Sequence, residues 1–231
     1  MNKHLLLTGA SSGIGRELAV LAAEQGYRLS LCGRSADKLN STLALMNTTD
    51  NVHSQAFCVT DDSARTVFFH NAIAANGAVD VLINCAGLNN VRLKADVTPI
   101  EQLDWLMKVN CYAPIECIKA VLPGMKQQGG GTIINVLSTV CLFSNPGIAA
   151  YTASKAALDA YTKVMRKELA EQHIKMLSVY PGGVDTDFRE ASRPEYLSAK
   201  DVADAIMTML SSTANAHIHE LVIRPEAERN Y

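Results

Sequence analysis

The chain has 231 residues, 48% of them hydrophobic and 19% charged, so it is long and apolar enough to bury one full core. A formal net charge of −2, with Lys and Arg scattered singly, offers nothing to attract nucleic acid or an anionic membrane. No stretch approaches the roughly 20 apolar residues of a membrane span, and the leucines after His4 are too few for a secretion signal.

Short apolar runs alternate with amphipathic stretches along the chain. The first run, His4–Leu7, leads into TGASSGIG (8–15), and a helix is predicted over 14–26. Gly9, Gly13 and Gly15 permit a tight turn in which backbone N–H groups approach a pyrophosphate, and the helix N-terminus adds partial positive charge. The spacing is GxxxGxG rather than GxGxxG, but its place between a first strand and a first helix points to a nucleotide. The second run, Arg28–Cys32, is followed by Gly33, Arg34 and a predicted helix over 35–46. Sheets that bind NAD place an acid near the position of Gly33 to take the ribose 2′-OH. Here Arg34 stands without a competing carboxylate, and Asp37 comes three residues later. A guanidinium suits a 2′-phosphate, so NADP(H) is expected in preference to NAD(H).

Further strand-like runs are His53–Cys58, Val79–Asn84, Thr132–Leu137, Lys175–Tyr180 and Glu220–Ile223, with helices predicted over 62–76, 99–127, 152–172 and 199–211. Strands rich in Leu, Val and Ile without strict alternation are those covered on both faces. The expected fold is α/β: a single-domain, doubly wound parallel sheet of about seven strands over residues 1–231, with helices on both faces. Within 99–127, Pro114 cannot donate to the carbonyl of Asn110, so a kink or break is predicted there, with that carbonyl freed to hold a water. The cysteines (32, 58, 85, 111, 117 and 141) form no CxxC pair and read as small buried hydrophobes of a reducing compartment. A cytoplasmic home is therefore expected, with no disulfide. His217 and His219, alternating on the last strand, lack a third ligand nearby, and no metal site is expected.

YTASK (151–155) sets Tyr151 and Lys155 on one helix face. Such a pair alone is an ordinary surface contact, and its neighbours decide otherwise. TGASSGIG, NCAG (84–87), Asn110, Ser138 thirteen residues before Tyr151, YTASK and PGGVDT (181–186) follow in one order. Together they make the chain resemble the short-chain dehydrogenase/reductase family over essentially its whole length.

That resemblance implies a Rossmann-type sheet and a catalytic set of Asn110, Ser138, Tyr151 and Lys155. In that set Ser138 holds a substrate carbonyl, Tyr151 exchanges a proton with it, and Lys155 lowers the tyrosine pKa from roughly 10 while holding the nicotinamide ribose. Asn110 anchors a water linked to Lys155. The cofactor is expected against Gly9, Ser11, Ser12, Gly13, Ile14 and Gly15, then Arg34, Cys58 and Val59, then Asn84, Ala86 and Gly87. Tyr151, Lys155, Pro181, Gly182, Val184 and Thr186 complete its contacts. Cys58 stands where the family often has an aspartate for the adenine amino group, which leaves the backbone of Cys58 and Val59 for that task.

Thr139, Val140, Leu142, Phe143 and Ile148 should border an apolar substrate space, and 186–199 is a short substrate loop. Phe188 could cover an apolar body there, and Arg189 or Arg193 could meet an acidic group, as in a 3-oxoacyl or hydroxy-acid compound. Ala156, Ala157, Ala160, Val164 and Met165 are candidates for a subunit interface, and the resemblance also implies a homodimer or homotetramer. The expected activity is interconversion of a small carbonyl compound and its alcohol by NADP(H)-dependent hydride transfer. The alternatives are a non-catalytic NADP(H)-binding regulatory or sensor protein and, more remotely, an epimerase or dehydratase of the wider fold group.

Overall fold

The computed structural model describes residues 2–186, 188, 192–213 and 216–229. In chain order its elements are β1 (His4–Thr8), α1 (Gly13–Glu24), β2 (Arg28–Gly33), α2 (Ala36–Leu43) and β3 (Val52–Ala56). Next come α3 (Asp62–Asn76), β4 (Val81–Asn84), α4 (Ile100–Met107), α5 (Ala113–Gln127), β5 (Gly131–Val136) and α6 (Ala149–Glu168). The last are β6 (Ile174–Pro181), β7 (Val184–Asp185), β8 (Leu197–Ser198), α7 (Ala199–Leu210) and β9 (Glu220–Ile223).

Alternation along β1 shows why the sheet needs cover on both sides. Leu5 and Leu7 enter one hydrophobic cluster and Leu6 the other, and all three are buried. The first cluster is closed by Leu18, Ala19 and Ala22 of α1 and by Val202, Ala203 and Ile206 of α7. The second is closed by Phe68 and Phe69 of α3, Cys117, Ile118 and Val121 of α5, and Met165 of α6. Seven parallel strands run in the order β3-β2-β1-β4-β5-β6-β9, the doubly wound sheet expected from the sequence. The winding reverses between β1 and β4, so a crevice opens at the carboxyl ends of those strands.

Three local departures matter. The third strand ends at Ala56, so Phe57, Cys58 and Val59 leave the sheet and turn toward the crevice. The predicted break near Pro114 is a wide π turn, Lys108–Tyr112, in which the Ala113 N–H reaches back to the Lys108 carbonyl, and Pro114 falls in the first turn of α5. A small parallel pair, β7 with β8, was not foreseen, because two-residue strands carry no periodicity to read.

Candidate active site

A cleft of about 1570 Å³ runs along the carboxyl edge of the sheet. At one end it is lined by Gly9, Ser11, Ser12, Gly13, Ile14 and Gly15. Gly9 has φ 77°, and a Cβ there would lie 2.7 Å from the Ala86 nitrogen. A Cβ on Gly15 would collide with the Gly9 carbonyl. Thr8 Oγ1 accepts the Cys85 and Ala86 N–H groups at 3.2 and 3.1 Å, so the turn is tied to NCAG. Ser12, the cap residue of α1, makes no side-chain cap bond, which leaves the first amides of that helix without a capping side chain.

The end of β2 is equally constrained. A Cβ on Gly33 would fall 2.7 Å from Ser11 Oγ and 2.8 Å from Ser11 Cβ, so an acidic side chain there would force the glycine turn aside. Arg34 is exposed and lines the cleft together with Lys38. Phe57, Cys58 and Val59 form the adjoining wall. The Val59 carbonyl is already taken by Arg65 Nη1 at 2.9 Å, and Cys58 Sγ sits 3.1 Å from Thr60 Oγ1.

Ser138, Tyr151 and Lys155 share the wall at the other end, all three buried. Ser138 follows β5 and caps the turn Thr139–Cys141, its Oγ accepting the Val140 N–H at 3.3 Å. Its hydroxyl proton has no acceptor among the described residues. Tyr151 packs with Val91, Leu106, Val140 and Ala150, and its ring centroid is 6.2 Å from that of Phe188. Lys155 is 4% exposed and donates to the Val136 carbonyl at 2.8 Å. An ammonium carries three donors, and among the described residues this is the one engaged. Burial pushes the Lys155 pKa down. The nearby thiols give it no counter-charge, because burial pushes Cys85 up to about 12 and Cys141 up to about 11.

Two predicted residues lie beneath the cleft rather than in its wall. Asn110 is fully buried, accepts the Leu88 N–H at 2.8 Å, and donates to the Leu88 carbonyl at 2.8 Å and to Ser154 Oγ at 3.0 Å. Ser154 donates in turn to the Tyr151 carbonyl at 2.8 Å. Asn84 donates to Asn135 Oδ1 at 2.9 Å and to the Pro114 carbonyl at 3.3 Å. Ala86 and Gly87 do reach the wall, as do Pro181, Gly182, Val184 and Thr186. Thr186 packs against the glycine turn, where a Cβ on Gly13 would be 3.2 Å from its Cγ2.

Thr139, Val140, Ile148 and Phe188 line the substrate end, whereas Leu142 and Phe143 stand outside it. Arg193 is not in the wall: its N–H donates to Asp185 Oδ1 at 2.9 Å and its guanidinium lies 3.8 Å from Glu195. Arg189 lies outside the described residues. Besides Arg34, the described arginines that reach the cleft are Arg92 and Arg229. Sequence reasoning missed these, along with Lys38, Leu88, Asn89, Tyr196 and Glu228. Lys38, three residues past the Ser35 cap of α2, had a legible signal, whereas Arg92 is brought alongside by the bridge of Leu93 with Ile148, which the sequence does not announce. His217 and His219 lie with ring centroids 5.7 Å apart, both exposed.

A family model described as short chain dehydrogenase matches residues 3–197. An uncharacterized oxidoreductase of Staphylococcus epidermidis is 33% identical over 231 residues, covering 96% of this chain and 97% of that one. Among solved structures, an alcohol dehydrogenase from the archaeon Thermococcus sibiricus, complexed with 5-hydroxy-NADP, is 26% identical with a TM-score of 0.90, covering 99% of each chain. A variant of the actinorhodin polyketide ketoreductase with NADPH is 26% identical with a TM-score of 0.87, covering 96% of this chain and 95% of the other. The chain belongs to the short-chain dehydrogenase family and is an oxidoreductase.

Proposed function

We propose that the protein is an NADP(H)-dependent carbonyl reductase or alcohol dehydrogenase with Tyr151 as general acid and base. The observation that carries this reading is Lys155, a buried ammonium in the cleft wall, one helical turn from Tyr151, with one of its three donors engaged among the described residues. A tyrosine with an ordinary pKa near 10 is idle at neutral pH, and a neighbouring cation favours its phenolate. The unused donors of Lys155 suit the ribose hydroxyls of a bound cofactor. Ser138 offers its hydroxyl proton to the substrate oxygen, which Tyr151 then protonates in the direction of reduction. Asn110 acts from below, holding Leu88 and, through Ser154, the start of the Tyr151 turn. When bound, the nicotinamide supplies or accepts the hydride.

NADP(H) is the cofactor of choice because Gly33 leaves no room for an acid while Arg34 and Lys38 face the same end of the cleft. The NADP-type ligands of the Thermococcus dehydrogenase and the actinorhodin ketoreductase support this. The chain acts as one domain, with 186–199 as its substrate loop and Val140, Ile148 and Phe188 against the apolar body of a ketone or aldehyde. A carboxylate or thioester on that substrate would meet Arg92 rather than Arg193. Ala160 and Val164 of α6, both exposed, belong to a homo-oligomer interface, whereas Met165 lies in the core.

A panel of ketones, aldehydes and 3-oxoacyl thioesters with NADPH tests the reading, and oxidation of NADPH by at least one member is expected. Binding of NADPH without oxidation by any of them would leave the sensor alternative. In Arg34→Ala the affinity for NADPH should fall about tenfold while that for NADH stays put. Equal losses for both would remove the 2′-phosphate assignment.

A further inference from the structure

The segment after β9 folds back on the cleft. The Gly182 N–H donates to the Ile223 carbonyl at 2.8 Å, and buried Pro225 follows. Glu228 then accepts the Gly183 N–H through Oε1 at 2.8 Å, while its Oε2 lies 3.5 Å from Arg224 Nε. The side chains of Arg224 and Glu228 are 13% and 20% exposed, so this pair is largely withdrawn from water. The Arg224 guanidinium stands 5.0 Å from the centroid of the Phe143 ring.

Gly182 and Gly183 have a packing reason to lack side chains. A Cβ on Gly182 would meet the Glu228 carboxylate and come 3.0 Å from Pro225 Cδ. A Cβ on Gly183 would run into the Tyr196 ring. Phe143 belongs to the fold that carries Ser138, since its N–H donates to the Thr139 carbonyl at 2.8 Å. The tail therefore joins two walls of the cleft: the turn leading to Thr186, and the segment after Ser138.

We infer that Glu228 is a positioning residue for the reaction proposed above, and the inference rests on that reading. Its carboxylate sets the Gly182–Gly183 turn through Gly183 and the Ser138 segment through Arg224 and Phe143. The link to Gly183 is a hydrogen bond whose length is set by the reach of the side chain, whereas the 3.5 Å contact with Arg224 is an ion pair without a hydrogen bond. A shift of about 1 Å in a reacting constellation can cost up to roughly a hundredfold in rate.

Three substitutions separate charge from reach. Glu228→Gln keeps an acceptor at the same distance, Glu228→Asp keeps the charge but withdraws it by one methylene, and Glu228→Ala removes both. The measurements are kcat and KM for a carbonyl that the wild type reduces, the NADPH Kd by fluorescence titration, and the thermal midpoint. Glu228→Asp and Glu228→Ala should lose about tenfold in kcat/KM, with Glu228→Gln within about threefold of wild type. That order should not follow the order of midpoints. Values within about twofold of wild type for all three, or losses that track the folded fraction alone, would overturn the inference. Should Glu228→Ala fail to fold, the Asp and Gln variants carry the test. A wild type that reduces no carbonyl refutes the functional reading, whereas an active wild type with equal Asp and Gln variants refutes only the role of Glu228.

Discussion

Two basic side chains are buried at opposite edges of the same sheet. His4, at the amino edge of β1, is 0% exposed, and each of its ring nitrogens is satisfied: Nδ1 donates to the Gly77 carbonyl at 2.8 Å and Nε2 accepts from Ser30 Oγ at 2.8 Å. Asn76 braces the same group, donating to Ser30 Oγ at 3.2 Å and to the Leu29 carbonyl at 2.9 Å. Lys155, at the carboxyl edge, is buried almost as deeply but among the described residues has two donors to spare and no counter-charge. Burial pushes the pKa of both groups down. Within the described residues the closed edge offsets the cost of burial and the open edge does not, and an uncompensated polar group beside a cleft is where a ligand's acceptors belong.

The largest expected effect lies at the open edge. On the proposed mechanism, Tyr151→Phe should lower turnover by about a thousandfold or more while NADPH binding changes little. A variant that kept its turnover would place the acid elsewhere. Lys155→Met and His4→Leu then sharpen the contrast, because they should affect different quantities. Lys155→Met should lose about a hundredfold in turnover and change stability by less than about 1 kcal/mol, since removal of an uncompensated buried charge offsets the loss of the bond to the Val136 carbonyl. His4→Leu should lose about 2 kcal/mol of stability, because the Gly77 carbonyl loses its donor and the Ser30 hydroxyl proton its acceptor, with kcat per folded molecule unchanged. Denaturant titrations read one quantity and steady-state kinetics the other. A stability loss in Lys155→Met as large as that in His4→Leu would erase the distinction between the two edges.

The open edge was also the more legible one. Its glycine turn, Arg34, Ser138 and YTASK stand in the order of the family that the chain resembles, and the fold brings them into the wall of one cleft. Asn84 and Asn110 were legible as residues but not as positions: which way an asparagine points depends on partners such as Asn135, Leu88 and Ser154 that fold beside it from elsewhere. Met165 was read as an interface residue and packs in the core, because a helix with two apolar faces does not say which one meets the sheet. The Glu228–Gly183 and Arg224–Phe143 contacts had no signal in the sequence, since they join segments separated by long stretches of chain. The same holds for His4, whose three leucine neighbours mark a strand but not the network at its start.

That network predicts the smallest effect. Burial is the main cause of the lowered His4 pKa; the bond to the Gly77 carbonyl raises it, nearby Arg28 lowers it and Asp80 raises it. Because the folded value lies below the ordinary 6.5, the unfolded chain takes up the proton first as pH falls. Stability therefore declines from pH 6.5 down to the folded pKa, at up to about 1.4 kcal/mol per pH unit from this group. His4→Leu lacks that contribution, while His53, whose pKa burial also lowers, is common to both proteins. The stability gap between wild type and His4→Leu should accordingly narrow between pH 7.5 and 5.5, by at most about 1.4 kcal/mol. A gap that stayed constant would mean that His4 keeps an ordinary pKa despite its burial, and the closed edge would then hold a charged imidazolium as readily as a neutral one.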